Sequence, residues 1–370
     1  MSSNPAPALK DHFSKTFVKQ WADRLIEVGA DIDREQFLTT TLDNYEPLTL
    51  TQRSSKMAEN IYDSVPGDVP GVLDALLSLL PDEKEAAEGV LNDGFWMWPI
   101  GDYIRLYGTG HVDESMKACY ELTKRFTAEF AIRPFLDANF DRVFPYLQRW
   151  VDDPNEHVRR LVSEGTRPRL PWATKLAVPT EPVLELLGSL RKDSSAYVRK
   201  SVANHLNDLA KDDSDRILTL LEGWYAEGHE ETTWIVRHAL RNHFKKGDTR
   251  ALALFGYMTP NVEVTALACE PSLVPVGEAV TVSFDLTNSG RADQSLMVDL
   301  IVCYQKANGR MSPRVFKFKD TVLAASETIR CEKRFSMVHR STRQLYAGQH
   351  RVEIQVNGIV QDGVDFELQM

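Results

Sequence analysis

Asp153-Pro154-Asn155-Glu156-His157-Val158-Arg159-Arg160 returns forty residues later as Asp193-Ser194-Ser195-Ala196-Tyr197-Val198-Arg199-Lys200, with Asp, Val and Arg at matching places. The first copy runs on through Leu161-Val162-Ser163-Glu164-Gly165-Thr166-Arg167-Pro168-Arg169-Leu170-Pro171-Trp172; the second closes on Asn204-His205-Leu206-Asn207-Asp208. Asp153 ahead of Pro154, with Glu156 three residues on, predicts a capped helix start, and Gly165 predicts its stop. Glu164 then falls in the last turn, and Asp208 near the end of the second copy's helix. A carboxylate at that end of a helix dipole costs roughly 0.3–1 kcal/mol. Acids placed against a local rule point to selection for something other than helix stability.

The repetition extends outward. Leu147 and Trp150 recur as Leu187 and Leu190, Val198-Arg199 as Val236-Arg237, and Asn204-His205-Leu206 as Asn242-His243-Phe244. Apolar residues at three- and four-residue spacing, such as Phe17, Trp21 and Leu25 or Val183, Leu184 and Leu187, fill the chain from Lys10 to about Tyr257. A period near forty built of helix pairs is that of HEAT-like repeats, which stack into a solenoid because no single pair buries its own apolar face. Arg159, Arg160, Arg199, Lys200 and Arg237 are expected to line one concave face as a basic stripe.

After Met258-Thr259-Pro260 the period changes to two: Val280, Val282, Phe284 and Leu286 alternate, as do Val352, Ile354 and Val356, between breaks such as Asn288-Ser289-Gly290 and Asn308-Gly309. Short strands at this spacing predict an immunoglobulin-like β-sandwich. The expected organisation is a disordered tail at 1–9, a HEAT-like domain at 10–259 and a sandwich at 260–370. The fold class is mainly α with an all-β second domain.

A chain of 370 residues with 43% hydrophobic and 26% charged residues is that of a globular protein. It has no apolar run long enough to span a bilayer. The opening residues lack a secretion pattern, so a cytoplasmic location is expected. Cys119, Cys269, Cys303 and Cys331 form no C-x-x-C pair and have no His at ligand spacing, so free thiols are expected and no metal. The net charge of −10 does not exclude nucleic acid, because bases cluster. Arg159, Arg160, Arg167, Arg169, Lys175, Arg191, Lys192, Arg199 and Lys200 face only Glu164, Glu181, Glu185 and Asp193 within their stretch, and Arg310 to Arg343 is likewise basic.

Phosphate-binding, dinucleotide, esterase and zincin motifs are absent, which leaves carboxylate chemistry with Glu129, Glu164 and Asp208 as its candidates. Plainer accounts stand beside each: an i,i+4 pair of Arg160 with Glu164, a surface pair of Asp208 with Lys211, and a helix end for Glu129. Trp172, after two prolines and two arginines, reads either as core or as a ring free to stack on a base or sugar. Phe95-Trp96-Met97-Trp98-Pro99 reads as core.

The runs Glu129-Phe130-Ala131-Ile132-Arg133-Pro134-Phe135, Ser163 to Trp172 and Val198 to Asp208 resemble those of the bacterial DNA alkylation repair glycosylases of HEAT-like fold, in their AlkC branch. The resemblance covers most of residues 10 to 257, and the sandwich resembles the immunoglobulin-like extension of some members. It implies excision of cationic alkylated bases, chiefly 3-methyladenine and 3-methylcytosine, from duplex DNA without base flipping. Glu129, Glu164 and Asp208 would be the catalytic acids and Trp172 the ring beside the lesion. Arg133, Arg159, Arg160, Arg167, Arg169, Arg199, Lys200, His205, Arg237, Arg314, Lys317 and Arg340 form the expected DNA-contacting set. No cofactor is implied, and a monomer acting on the nucleoid is expected. A non-catalytic DNA-structure binder and a protein-interaction scaffold remain the other readings.

Overall fold

The computed structural model describes residues 9–83, 94–340 and 343–370; the expected disordered tail lies, but for Leu9, outside them. The chain divides into two compact units, Met1–His238 and Ala239–Met370.

The helices are α1 (Lys15–Glu27), α2 (Arg34–Leu42), α3 (Leu50–Ser64), α4 (Val69–Ser78), α5 (Trp98–Tyr107), α6 (Val112–Thr123), α7 (Arg133–Trp150), α8 (Glu156–Gly165), α9 (Thr180–Ser189), α10 (Ala196–Leu209), α11 (Ser214–Ala226), α12 (Glu230–Ala239), α13 (Arg241–Lys246) and α14 (Thr249–Leu254). Those of the first unit form the HEAT-like array, and the described residues before Val262 contain no strand. Val158, Leu161 and Val162 put one stripe of α8 into the core, and Val198, Val202 and Leu206 do the same for α10.

The sequence repeat is legible in hydrogen bonds. Asp153 Oδ1 accepts from the Asn155 N–H at 2.8 Å, and Asp193 Oδ1 from the Ser195 N–H at 2.8 Å. Arg159 Nη1 donates to the carbonyls of Asp153 and Pro154, and Arg199 Nη1 to those of Asp193 and Ser194. This moves the predicted cap. Asn155, not Asp153, caps α8, its side chain accepting from the His157 N–H, because Asp153 is already committed to the turn before it. Gly165 does end α8, but for space rather than for a left-handed turn. A β-carbon there would lie 2.8 Å from Ile132 Cγ2, and the following Thr166 keeps a right-handed φ of −88°.

In the second unit the strands are β1 (Val262–Glu270), β2 (Leu273–Pro275), β3 (Ala279–Asn288), β4 (Gln294–Gln305), β5 (Met311–Leu323), β6 (Thr328–Ser336), β7 (Gly348–Val356) and β8 (Ile359–Gln369). Sheet β1-β3-β6 faces sheet β2-β8-β7-β4-β5 in the immunoglobulin-like manner, around a core that includes Val280, Phe284, Val298, Val352 and Phe366. Strand begins at Val262, as the change of period predicted, whereas the compact unit opens earlier and takes in α13 and α14. One close contact accounts for this grouping: a β-carbon on Gly247 would meet the Gly358 carbonyl oxygen at 2.4 Å.

Candidate active site

Glu164 and Asp208 end adjacent helices, α8 and α10, and one guanidinium joins them. Arg167 donates from Nη1 to Glu164 Oε1 at 2.6 Å, and from Nε and Nη2 to Asp208 Oδ2 at 3.0 and 2.7 Å. The other Glu164 oxygen accepts from the Ser201 hydroxyl at 2.6 Å. Glu129, in the turn before α7, pairs with Arg160, whose Nη2 lies 3.6 Å from Glu164 Oε1 and whose guanidinium packs over the Tyr197 ring at 5.0 Å. The chain therefore gathers all three candidate acids around Arg160 and Arg167.

Both plain accounts hold as far as they go, since the Arg160–Glu164 pair forms and Lys211 Nζ donates to Asp208 Oδ1 at 2.8 Å. They do not describe the setting. Glu164 is 6% exposed and Asp208 3%, far from solvated surface pairs. Burial pushes the Glu164 carboxyl up, but Arg160, Arg167 and the Ser201 hydroxyl outweigh it and hold the group below its ordinary value. The ionised form is locked in place.

The end of α8 is held with equal care. Of its last carbonyls, that of Val162 accepts from Thr166 Oγ1 at 2.7 Å, that of Ser163 lies 2.9 Å from His205 Nδ1, and that of Gly165 accepts from Arg133 at 3.3 Å. Arg133 also donates to the carbonyls of Arg167 and Thr174 at 2.8 and 2.7 Å. It fastens both ends of the loop that carries Arg167 and Trp172.

Trp172 is 67% exposed, with a positive φ of 65°, and stacks near Trp98 at 6.4 Å between ring centroids. It is not the buried core tryptophan. Trp98 is buried, as the core reading of its run required, and lies flat on Phe130 at 5.7 Å and 9°. Beside these rings opens a cleft of about 710 Å³ whose lining contains none of the three acids.

The comparisons with known proteins bear on this constellation. Residues 126–243 match the DNA alkylation repair enzyme family, and residues 263–370 match the C-terminal Ig-like domain of the uncharacterised protein YhaZ. YhaZ of Bacillus subtilis is 35% identical over 365 residues, 97% of this chain and 99% of its own. The Pseudomonas fluorescens alkylpurine DNA glycosylase AlkC, solved bound to DNA containing an abasic site analogue, is 38% identical. Its TM-score is 0.92, over 98% of this chain and 100% of that one. The chain belongs to the AlkC branch of the DNA alkylation repair enzymes.

Within this enzyme the expected basic stripe is redistributed. Arg159 forks onto Asp193 at 2.7 and 2.9 Å and so staples one repeat to the next, whereas Arg199 Nη1 serves the carbonyls of its own turn. Arg133 is buried on carbonyls, and His205 is fully buried with its Nε2 meeting no partner among the described residues. Arg159, Arg133 and His205 are thereby committed within the fold, because each was placed by residue type without knowing which groups the fold would claim. Arg160 and Arg167 hold the acids, and Arg169 binds Asp212 at 2.5–2.6 Å. Lys200 is exposed, Arg237 half-buried, and Arg314, Lys317 and Arg340 are exposed on the second unit. The sequence reading missed Ser201, although it lies seven residues before Asp208 on the same face of α10. Among the described residues no cluster of His, Cys, Asp or Glu suits a metal, and the four cysteines are free.

Proposed function

We propose that this enzyme is a DNA glycosylase that releases cationic alkylated bases, foremost 3-methyladenine and 3-methylcytosine, from duplex DNA. The observation that carries the reading is Glu164: a buried, ionised carboxylate fixed on both oxygens at the end of a helix. An N3-alkylated base already bears positive charge, so it leaves with the bonding electrons as a neutral molecule and needs no proton from an acid. The deoxyribose left behind becomes oxocarbenium-like, and a fixed carboxylate gains interaction energy as that charge grows. Water then adds at C1′, and Glu164 or Asp208 takes up the proton it sheds.

Neutral bases leave far less readily and are spared. With the acids outside the cleft, capture of the lesion within bent DNA, without flipping, suits this arrangement better than a deep base pocket. Trp172 stands where an exposed ring can face the lesion. Lys200 and Arg237 on the repeats, with Arg314, Lys317 and Arg340 on the sandwich, supply phosphate contacts that orient the duplex without reading its sequence. We place the work in the cytoplasm, by a monomer.

The test is release of free methylated base from methylated duplex DNA by the purified chain and by Glu164→Gln. Wild type should release base, and the variant should lose about 10²-fold or more in single-turnover rate while binding DNA normally. A wild-type chain that binds methylated duplex but releases nothing would leave a DNA-structure binder in place of the enzyme.

A further inference from the structure

We infer that the cleft beside Trp172 is a subsite for an unstacked nucleobase, an inference that rests on the glycosylase reading for the origin of that base. Its volume of about 710 Å³ lies in the range of small-molecule sites. One wall is aromatic, with Phe130, Trp98 and Trp172 in series at centroid spacings of 5.7 and 6.4 Å. The outermost ring of the series is held there against preference. A positive φ on a bulky residue costs on the order of 1–3 kcal/mol, and burial does not compensate for it, since the indole is two-thirds exposed. A flat ligand against that face would gain what the fold leaves open.

One turn along α5 from Trp98 stand polar groups with capacity to spare. Asp102, from α5, is 5% exposed; its Oδ1 accepts from Arg105 Nε at 2.9 Å. Among the described residues its Oδ2 accepts only from the Ser55 hydroxyl, at 3.4 Å, well beyond the 2.5–2.7 Å of a strong hydroxyl–carboxylate bond. The same Ser55 oxygen accepts from Arg105 Nη2 at 3.0 Å. A buried carboxylate oxygen so weakly engaged calls for a donor. The exocyclic amine of adenine or cytosine, on a ring stacked against Trp172, supplies one. The ligand is therefore an amino-substituted nucleobase, the excised free base.

The experiment titrates free 3-methyladenine into the full chain, following tryptophan fluorescence and inhibition of excision, in wild type, Asp102→Asn and Thr51→Trp. Thr51 is exposed at the cleft's rim, so an indole there narrows the opening without disturbing the core, whereas Asp102→Asn removes the acceptor charge. A product subsite predicts saturable quenching and competitive inhibition, both weakened at least tenfold in the two variants, with single-turnover excision within twofold of wild type in Thr51→Trp. No response to free base, with a tenfold rise in KM for duplex at unchanged kcat in both variants, would place an in-strand nucleotide in the cleft and overturn the inference. If Thr51→Trp folds and changes neither quantity, the inference falls. Binding of free base by a chain that excises nothing would keep the subsite and overturn the glycosylase reading instead.

Discussion

Arg167 grips Asp208 through two donors, Nε at 3.0 Å and Nη2 at 2.7 Å, and so couples the end of α10 to the loop that follows α8. Its remaining Nη1 on Glu164 makes one cation answer for two buried carboxylates. Arg167→Met should therefore destabilise the chain by about 3–5 kcal/mol, the usual result of stranding a buried charge. Its kinetic effect has a definite sign. Arg167 is among the groups that hold the Glu164 carboxyl below its ordinary value, so its loss lets burial push that carboxyl up. Wild-type excision should stay flat as pH falls to the ordinary carboxylate range, whereas the variant's rate should fall at higher pH. Single-turnover pH–rate profiles measure the difference.

His205 predicts an acid sensitivity that has nothing to do with chemistry at the lesion. Burial, helped by nearby Arg167, brings its imidazole down to about 4, against the Ser163 carbonyl, Asp208 and Glu164, which pull the other way. The unfolded chain binds a proton near 6.5 that the folded chain refuses until about 4, so stability falls as pH drops through that window. The loss amounts to a few kcal/mol over the window. His205→Gln keeps a donor for the Ser163 carbonyl and should flatten that slope by one proton. Denaturant melts from pH 7 to 4 test it, and an unchanged slope would assign the protons elsewhere.

How far the sequence could be read depended on whether a residue's partner lay near it in the chain. The forty-residue repeat is local, and it announced both the array and the matching turns at Asp153 and Asp193. The change of period after Pro260 announced the sandwich for the same reason. Glu164 and Asp208 stood out because each offends a helix-end rule that sequence alone can apply. Arg133 did not, since its acceptors lie 32 to 41 residues away and are backbone carbonyls, which carry no residue signature. For Arg159 the expected basic stripe met the same obstacle. Residue type suggested phosphate binding, but Asp193 had already claimed Arg159.

Gly165 offers a steric test of the site. Its missing side chain lets α8 approach Ile132, three residues from Glu129, and a β-carbon would intrude to 2.8 Å. Gly165→Ala should cost about 1–3 kcal/mol from overpacking, despite alanine's better helix propensity. In an Ile132→Ala background, which removes the Cγ2 methyl at the point of contact, the added cost of Gly165→Ala should largely vanish. A thermal melt of the two single variants and the pair reads the coupling, and additive losses would mean that the contact is not the cause.

Arg159 and Lys200 separate structural from DNA-binding basic residues. Arg159 lies on Asp193 and on two carbonyls of its own turn, and its charge is thereby neutralised within the fold. Lys200 is exposed on the adjacent repeat helix. Arg159→Ala should lower stability, and a double-mutant cycle with Asp193→Ala should return a coupling of about 1–3 kcal/mol. It should leave the salt dependence of duplex binding alone. Lys200→Ala should do the reverse, keeping stability within about 0.5 kcal/mol and reducing the slope of log K against log salt by about 0.9, one phosphate's worth. Binding isotherms between low and moderate salt decide it. A reduced slope in Arg159→Ala would mean that its guanidinium leaves Asp193 when DNA arrives, and the repeat staple would then be part of the binding surface.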